Sequence, residues 1–188
     1  MEQAVSAIAK LMGIERLRPG RHILRNEKHW RIGELTVSNA WHASILPSFH
    51  DSAVIAAVRA HDTEFRGEAF PGFFRAGIAI VSRETSALVQ TVIADIDDDP
   101  LPAAVSSIDL LASDDSCFLD GIGYELNTDT SACHATIRFS NPTVPSFQHI
   151  ERALFTLAEH IARSSLEPTV VEYVKMWRGY LVNSERQQ

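Results

Sequence analysis

Four aspartates fall within five positions of "DIDDDP", residues 95–100: Asp95, Asp97, Asp98 and Asp99. The D-x-D-x-D spacing opens calcium loops, because a hard cation takes several carboxylate oxygens at once. Pro100 stands where such a loop needs its glycine, and Ser106 where it needs its closing glutamate. The segment therefore reads as an acidic turn after an apolar run. Eight histidines raise zinc or acid–base chemistry, yet there is no HExxH and no paired CxxC. His149 and His160 share one helix face but stand about 16 Å apart on it, too far for one metal. His134 follows Cys133 in an expected strand, so the two side chains point to opposite sheet faces. No GxSxG elbow, GxxxxGK[ST] phosphate loop or GxGxxG fingerprint is present. "DGIG" at 120–123 reads as a bulge or a close backbone approach. No catalytic residue, metal ligand set or cofactor site is assigned. A site assembled from distant residues, with His29, His42 and His61 as its histidines, stands as an alternative.

Charge is distributed unevenly. Residues 1–83 carry a formal +3, residues 84–137 carry −11 without a single lysine or arginine, and residues 138–188 carry +1. A long stretch of one sign steers positively charged partners and disfavours nucleic acid on the surface it covers. Asp95, Asp97, Asp98, Asp99, Asp114 and Asp115 are accordingly the expected partner-binding residues. The mirror feature is the basic run from Lys10 to Arg31, which could bind phosphates or lie against the acidic zone of the same molecule.

These residues need a frame to hold them. A chain of 188 residues with 45% hydrophobic and 22% charged residues suits one soluble domain over residues 1–188, held by packing. Glu2 and the interrupted apolar pattern after it are unlike a secretion signal, and no apolar run reaches the ~20 residues needed to span a bilayer. Cys117 and Cys133 are too few for a disulfide scaffold, and a cytoplasmic location is expected.

Val5, Ile8, Ala9 and Met12 share a face of a helix over 3–12, which Pro19 and Gly20 should end. Residues 29–42 predict a bent strand with a bulge near Gly33, placing Trp30 and Ile32 on the same face as Leu35, Val37 and Trp41. Residues 75–82 read as a buried strand, whereas 52–61 and 86–96 fit strand or helix. Two alternating runs around "NTDT" predict a hairpin turning at Thr128 and Asp129, with Cys133 facing Tyr124 and Cys117 opposite Ser140. Ser146 is the expected N-cap of a helix whose buried stripe includes Phe147, Ile150, Leu154 and Ile161. His149, His160, Arg152 and Arg163 point away from that stripe. Pro168 opens a last helix that buries Val170, Val174, Trp177 and Leu181. The fold class is α+β: a central, mostly antiparallel sheet, with an N-terminal helix and two C-terminal helices packed on it.

Over "FLDGIGYEL" and "IRFSNPTVPSFQHIERALFTLAEHI" the chain resembles small bacterial immunity proteins of polymorphic toxin systems. The matching positions are Asp120, Gly121, Tyr124, Asn141, Pro142 and the helix from Phe147. The resemblance implies a cytoplasmic, non-enzymatic protein that binds and neutralises a toxin, and it carries over no catalytic residue. The expected partner is a basic toxin domain met by the acidic zone, with no nucleic acid, membrane or cofactor involved. A metabolite-binding module or small enzyme, or a structural subunit of a larger complex, are the alternatives.

Overall fold

Residues 52–61 and 88–95, whose patterns fit either strand or helix, are strands in the computed structural model, which describes residues 1–25, 28, 31–61, 63–65, 68–106, 108, 121–129 and 134–185. The elements in chain order are α1 (Glu2–Leu11), β1 (Gly20–Arg25), β2 (Arg31–Pro47), β3 (Ser52–His61), β4 (Thr63–Phe65), β5 (Glu68–Phe70), β6 (Phe73–Val81) and β7 (Leu88–Asp95). They continue with α2 (Leu101–Val105), β8 (Ile122–Asp129), β9 (His134–Ser140), α3 (Pro145–Ser165) and α4 (Pro168–Glu185). The main sheet is antiparallel throughout, in the order β7-β6-β3-β2-β8-β9, with β1 also on β2; β4 and β5 form a separate small hairpin.

Around the middle of β3 the sheet is covered on both faces, so Ala53–Val58 is an unbroken apolar run rather than an alternating one. Ala53, Ile55 and Ala57 of β3, with Ile78 and Ile80 of β6, face the core beneath α2, α3 and α4. Val54, Ala56, Val58 and Ala60 face the smaller core beneath α1. That double burial removes the alternation that would otherwise mark a strand. The architecture is α+β, with α1 and the pair α3–α4 packed on an antiparallel sheet.

β2 departs from its expected phase. Val37 pairs with Ala60 and Asn39 with Arg59, which leaves Ser38 as an extra residue. The bulge moves Leu35 and Val37 onto the α1 face and Trp41, Ala43 and Ile45 onto the α3–α4 face. Leu35, Val37 and Trp41 therefore do not share a face. A second irregularity, where Leu24 pairs with Gly33 and Arg25 with Arg31, lies beside Gly33 as the sequence suggests.

β8 runs on through the turn predicted at Thr128 and Asp129. Tyr124 pairs with Phe139 and Asp129 with His134, so Asn127, Thr128 and Asp129 are strand residues, and 130–133 lie outside the described residues. Asn127 fits a strand because its side chain is bonded across to Thr136 at 2.8 Å on a polar sheet face. Cys117 and Cys133 lie outside the described residues. Gly121 and Asn141 meet here: Asn141 Oδ1 accepts the Ile122 N–H at 2.8 Å, and a Cβ on Gly121 would fall 2.0 Å from the Asn141 side chain.

Helix boundaries also move. α1 stops at Leu11, and Gly13 follows with φ +77, the left-handed backbone that glycine supplies after a helix. Pro19 and Gly20 come too late to end it. α3 starts with Val144 as N-cap and Pro145 in the first turn, since proline's fixed φ and missing N–H suit that position. Ser146 is thereby drawn inside the helix, where it is buried.

α1 lies on β6 at Gly77. A Cβ there would come 2.8 Å from Ile8 Cγ2 and 3.2 Å from the Val92 carbonyl. Gly77→Ala should lower stability by about 1–3 kcal/mol, by overpacking the helix–sheet contact. Gly179→Ala in α4, where a Cβ meets nothing within 4 Å, should raise it by about 0.5–1 kcal/mol. Denaturant midpoints of the two variants check the contrast.

Candidate functional site

The acidic segment leaves the end of edge strand β7 and runs into α2. Its four described aspartates have different surroundings. Asp95 is ion-paired to Arg75 Nε on β6 at 2.7 Å, and its carbonyl accepts the His160 Nε2–H from α3 at 2.9 Å. His160 is half-buried and so turns towards the sheet, unlike exposed His149, Arg152 and Arg163. Asp99 accepts the Trp41 indole N–H at 2.7 Å and the Leu101 backbone N–H at 3.0 Å, which fixes the start of α2. Burial raises the Asp99 carboxyl above its usual value, against the lowering effect of the Trp41 and Leu101 hydrogen bonds. Asp97 and Asp98 lie between these anchors, exposed and without an ion-pair partner among the described residues. Asp114 and Asp115 lie outside the described residues.

Among its described residues, the cation-free stretch of sequence does not become a face of one sign. Strand pairing brings cations from elsewhere into it: Arg75 to Asp95, and Arg138 of β9 to Glu125 of β8 at 2.8 Å. The Arg138 hydrogen bond, then that of Asn127, holds the Glu125 carboxyl below its usual range. Asp129 lines a surface hollow with Arg16, Arg18 and Arg21 of the basic run. Arg21 also lies 3.4 Å from Glu34. Among the described residues, the unopposed negative charge of the acidic segment narrows to Asp97 and Asp98.

The histidines are not gathered. His42 projects on the α1 side of the sheet, and the alternation along β3 puts His61 on the other side. His29 lies outside the described residues. Burial lowers the His42 pKa, Glu125 opposes that shift, and His134 adds to it. His42, Asn127 and Thr136 form one cross-strand row, with Glu125 and Arg138 in the next. This is a polar sheet face beyond the reach of α1, and no group of three or more metal-ligating side chains occurs among the described residues.

One buried constellation was not anticipated. Trp177 Nε1–H of α4 donates to Tyr124 Oη at 2.9 Å, and Tyr124 Oη–H donates to Glu151 Oε1 of α3 at 2.5 Å. Glu151 is only 4% exposed. Burial first, then the Glu151 charge, pushes the Tyr124 phenol well above its usual value, so it remains a proton donor. Phe139 stacks on Tyr124 at 4.8 Å and Phe147 on Phe139 at 5.2 Å, closing the sides. The network is sealed from solvent, so its chemistry is structural: it ties α3, α4 and β8 together. A signal for it exists, since position 151 falls on the apolar stripe between Phe147 and Leu154.

Comparison with protein-family models, curated proteins and solved structures returns no match.

Tyr124→Phe should destabilise the protein by about 1–3 kcal/mol, because it strands the Trp177 N–H and removes a donor from a buried carboxylate. Urea denaturation followed by tryptophan fluorescence measures it. Asp99→Asn removes a partly buried charge and keeps one of the two acceptor oxygens, so it loses either the Trp41 or the Leu101 hydrogen bond at every pH. The raised Asp99 pKa makes the native state favour the protonated acid, a stabilisation present below about pH 3.8 and lost as pH rises through the higher folded value. The stability of Asp99→Asn relative to the parent should therefore increase from pH 3 to pH 7, and thermal melts across that range test the sign.

Proposed function

We propose that the protein is a non-enzymatic binding protein of the immunity type, which neutralises a basic bacterial toxin domain through the acidic loop between β7 and α2. The observation that carries the reading is the pair Asp97 and Asp98, held out to solvent on a loop braced at both ends by Asp95–Arg75 and Asp99–Trp41. A braced loop loses less conformational entropy on binding than a free one. Two unopposed carboxylates steer a cationic surface into register. Asp95 and Asp99 act as braces in this arrangement, and Asp97 and Asp98 as the contacts. No described helix is long and apolar enough to cross a membrane. On this reading the protein works in the cytoplasm, where the toxin is made.

The test is co-expression with the toxin-like product of an adjacent gene. Growth should be rescued by the parent chain and impaired by Asp97→Lys with Asp98→Lys. Affinity of the purified pair should fall at least about tenfold between low and high ionic strength, as exposed charge pairs are screened. Absence of rescue, or an affinity indifferent to salt, would sink the electrostatic reading.

A further inference from the structure

At the end of the sheet opposite the acidic loop, the β2–β3 turn, the start of the β6–β7 connection and the first turns of α4 enclose a cleft of about 850 Å³. That size lies within the range of small-molecule sites. Phe49 forms one wall and is 58% exposed, a large apolar side chain left in water. The Arg83 guanidinium lies 5.6 Å from the centre of that ring, so the wall already attracts a cation from within the chain. Asp51, Glu84 and Glu172 bring three carboxylates to the lining against the one guanidinium. Asp51 uses one oxygen, Oδ1, to accept the Arg83 backbone N–H at 3.0 Å, and Glu172 is bonded to Lys175 at 2.7 Å. Glu84 is exposed and has no partner among the described residues.

The second, independent observation is Tyr173. It lines this cleft and is 5% exposed, and its hydroxyl is buried without a hydrogen-bond partner among the described residues. A hydroxyl in that condition destabilises the fold that holds it, and so is rare. Burial first, then the Asp51 charge, keeps the phenol protonated. The Asp51 effect places the hydroxyl within the field of a cleft carboxylate. It offers both a donor and acceptor lone pairs to an incoming group.

We propose that this cleft binds a cation on a short apolar stem, a primary ammonium or a guanidinium, with the stem against Phe49 and the charged head between Asp51, Glu84 and the Tyr173 hydroxyl. The hydroxyl is covered, and the head reaches it by a local repacking of the lining, which includes the unbranched side chain of Met176. The same chemistry is carried by a free alkylamine and by a lysine or arginine side chain of a protein. The site is separate from Asp97 and Asp98, so it stands or falls independently of the acidic loop.

The test is a titration of the full chain with agmatine and, separately, with a blocked arginine peptide, followed by calorimetry and amide chemical shifts. Saturable binding should perturb residues 49–51, 82–84 and 172–176. Tyr173→Phe removes only an unpartnered hydroxyl, so it should melt no lower than the parent, while weakening binding at least about tenfold. Asp51→Asn should weaken it as well, and an uncharged amide of the same length should not bind. Agmatine binding supports the proposal with a free amine as ligand, and binding of the peptide alone supports it with a partner's side chain. Failure of both probes to bind, equal binding by both variants, or a marked loss of stability in Tyr173→Phe overturns it.

Discussion

β2 runs from Arg31 to Pro47 and bonds to β3 on one side, while its other side is divided between β1 and β8. A single strand thus sets the register of three neighbours. Since side chains alternate strictly along a strand, one shared strand would normally present one apolar set to one core. The extra residue at Ser38 lifts that restriction. Before it, β2 feeds the core under α1; after it, Trp41, Ala43 and Ile45 feed the core under α3 and α4. Both helical layers depend on that inserted residue. The acidic loop depends on it too, because the Trp41 indole reaches Asp99 only from the second phase.

The two cores are stabilised differently. Under α1 the contact is close and apolar, with Gly77 allowing Ile8 to approach the β6 backbone. Under α3 and α4, the apolar layer surrounds a three-membered polar chain, Trp177 to Tyr124 to Glu151. A buried hydrogen bond to a charged acceptor contributes about 1.5–3 kcal/mol, and leaving either end unmade costs a comparable amount. The chain also has direction: its donors and acceptor must come from α4, β8 and α3 in that order. It therefore selects one packing of the helix pair among the several that its apolar stripes would allow.

Much of the fold was legible in the sequence because it rests on local pattern. The helical stripes of α1, α3 and α4 and the alternation in β8 and β9 follow from spacings within a few residues. What escaped depends on contacts between distant segments. β3 lost its alternation to burial on both faces. The Ser38 bulge is specified by pairing with β3 rather than by a glycine. β8 runs on through Asn127, Thr128 and Asp129, with Asn127 satisfied across the sheet by Thr136. The acidic segment was visible as composition, but its division into braces and free carboxylates required Arg75, Trp41 and His160, none of them its neighbours in sequence. The cleft at Tyr173 left no local signature, since its lining comes from three separate elements.

The pairing of β2 with β8 has a kinetic meaning. β1 with β2, β2 with β3, β6 with β7 and β8 with β9 are joined by short connections, so each pair closes a small loop. Ala43 opposite Leu126 is different, because the chain between them must pass through five strands and α2 before the two meet. The entropy lost in closing that long loop is offset where the two segments meet, at β8 on β2 and at α3 on β6, β7 and α2. The N-terminal meander and the β8–β9–α3–α4 segment are thus two locally closed halves, joined by these long-range contacts.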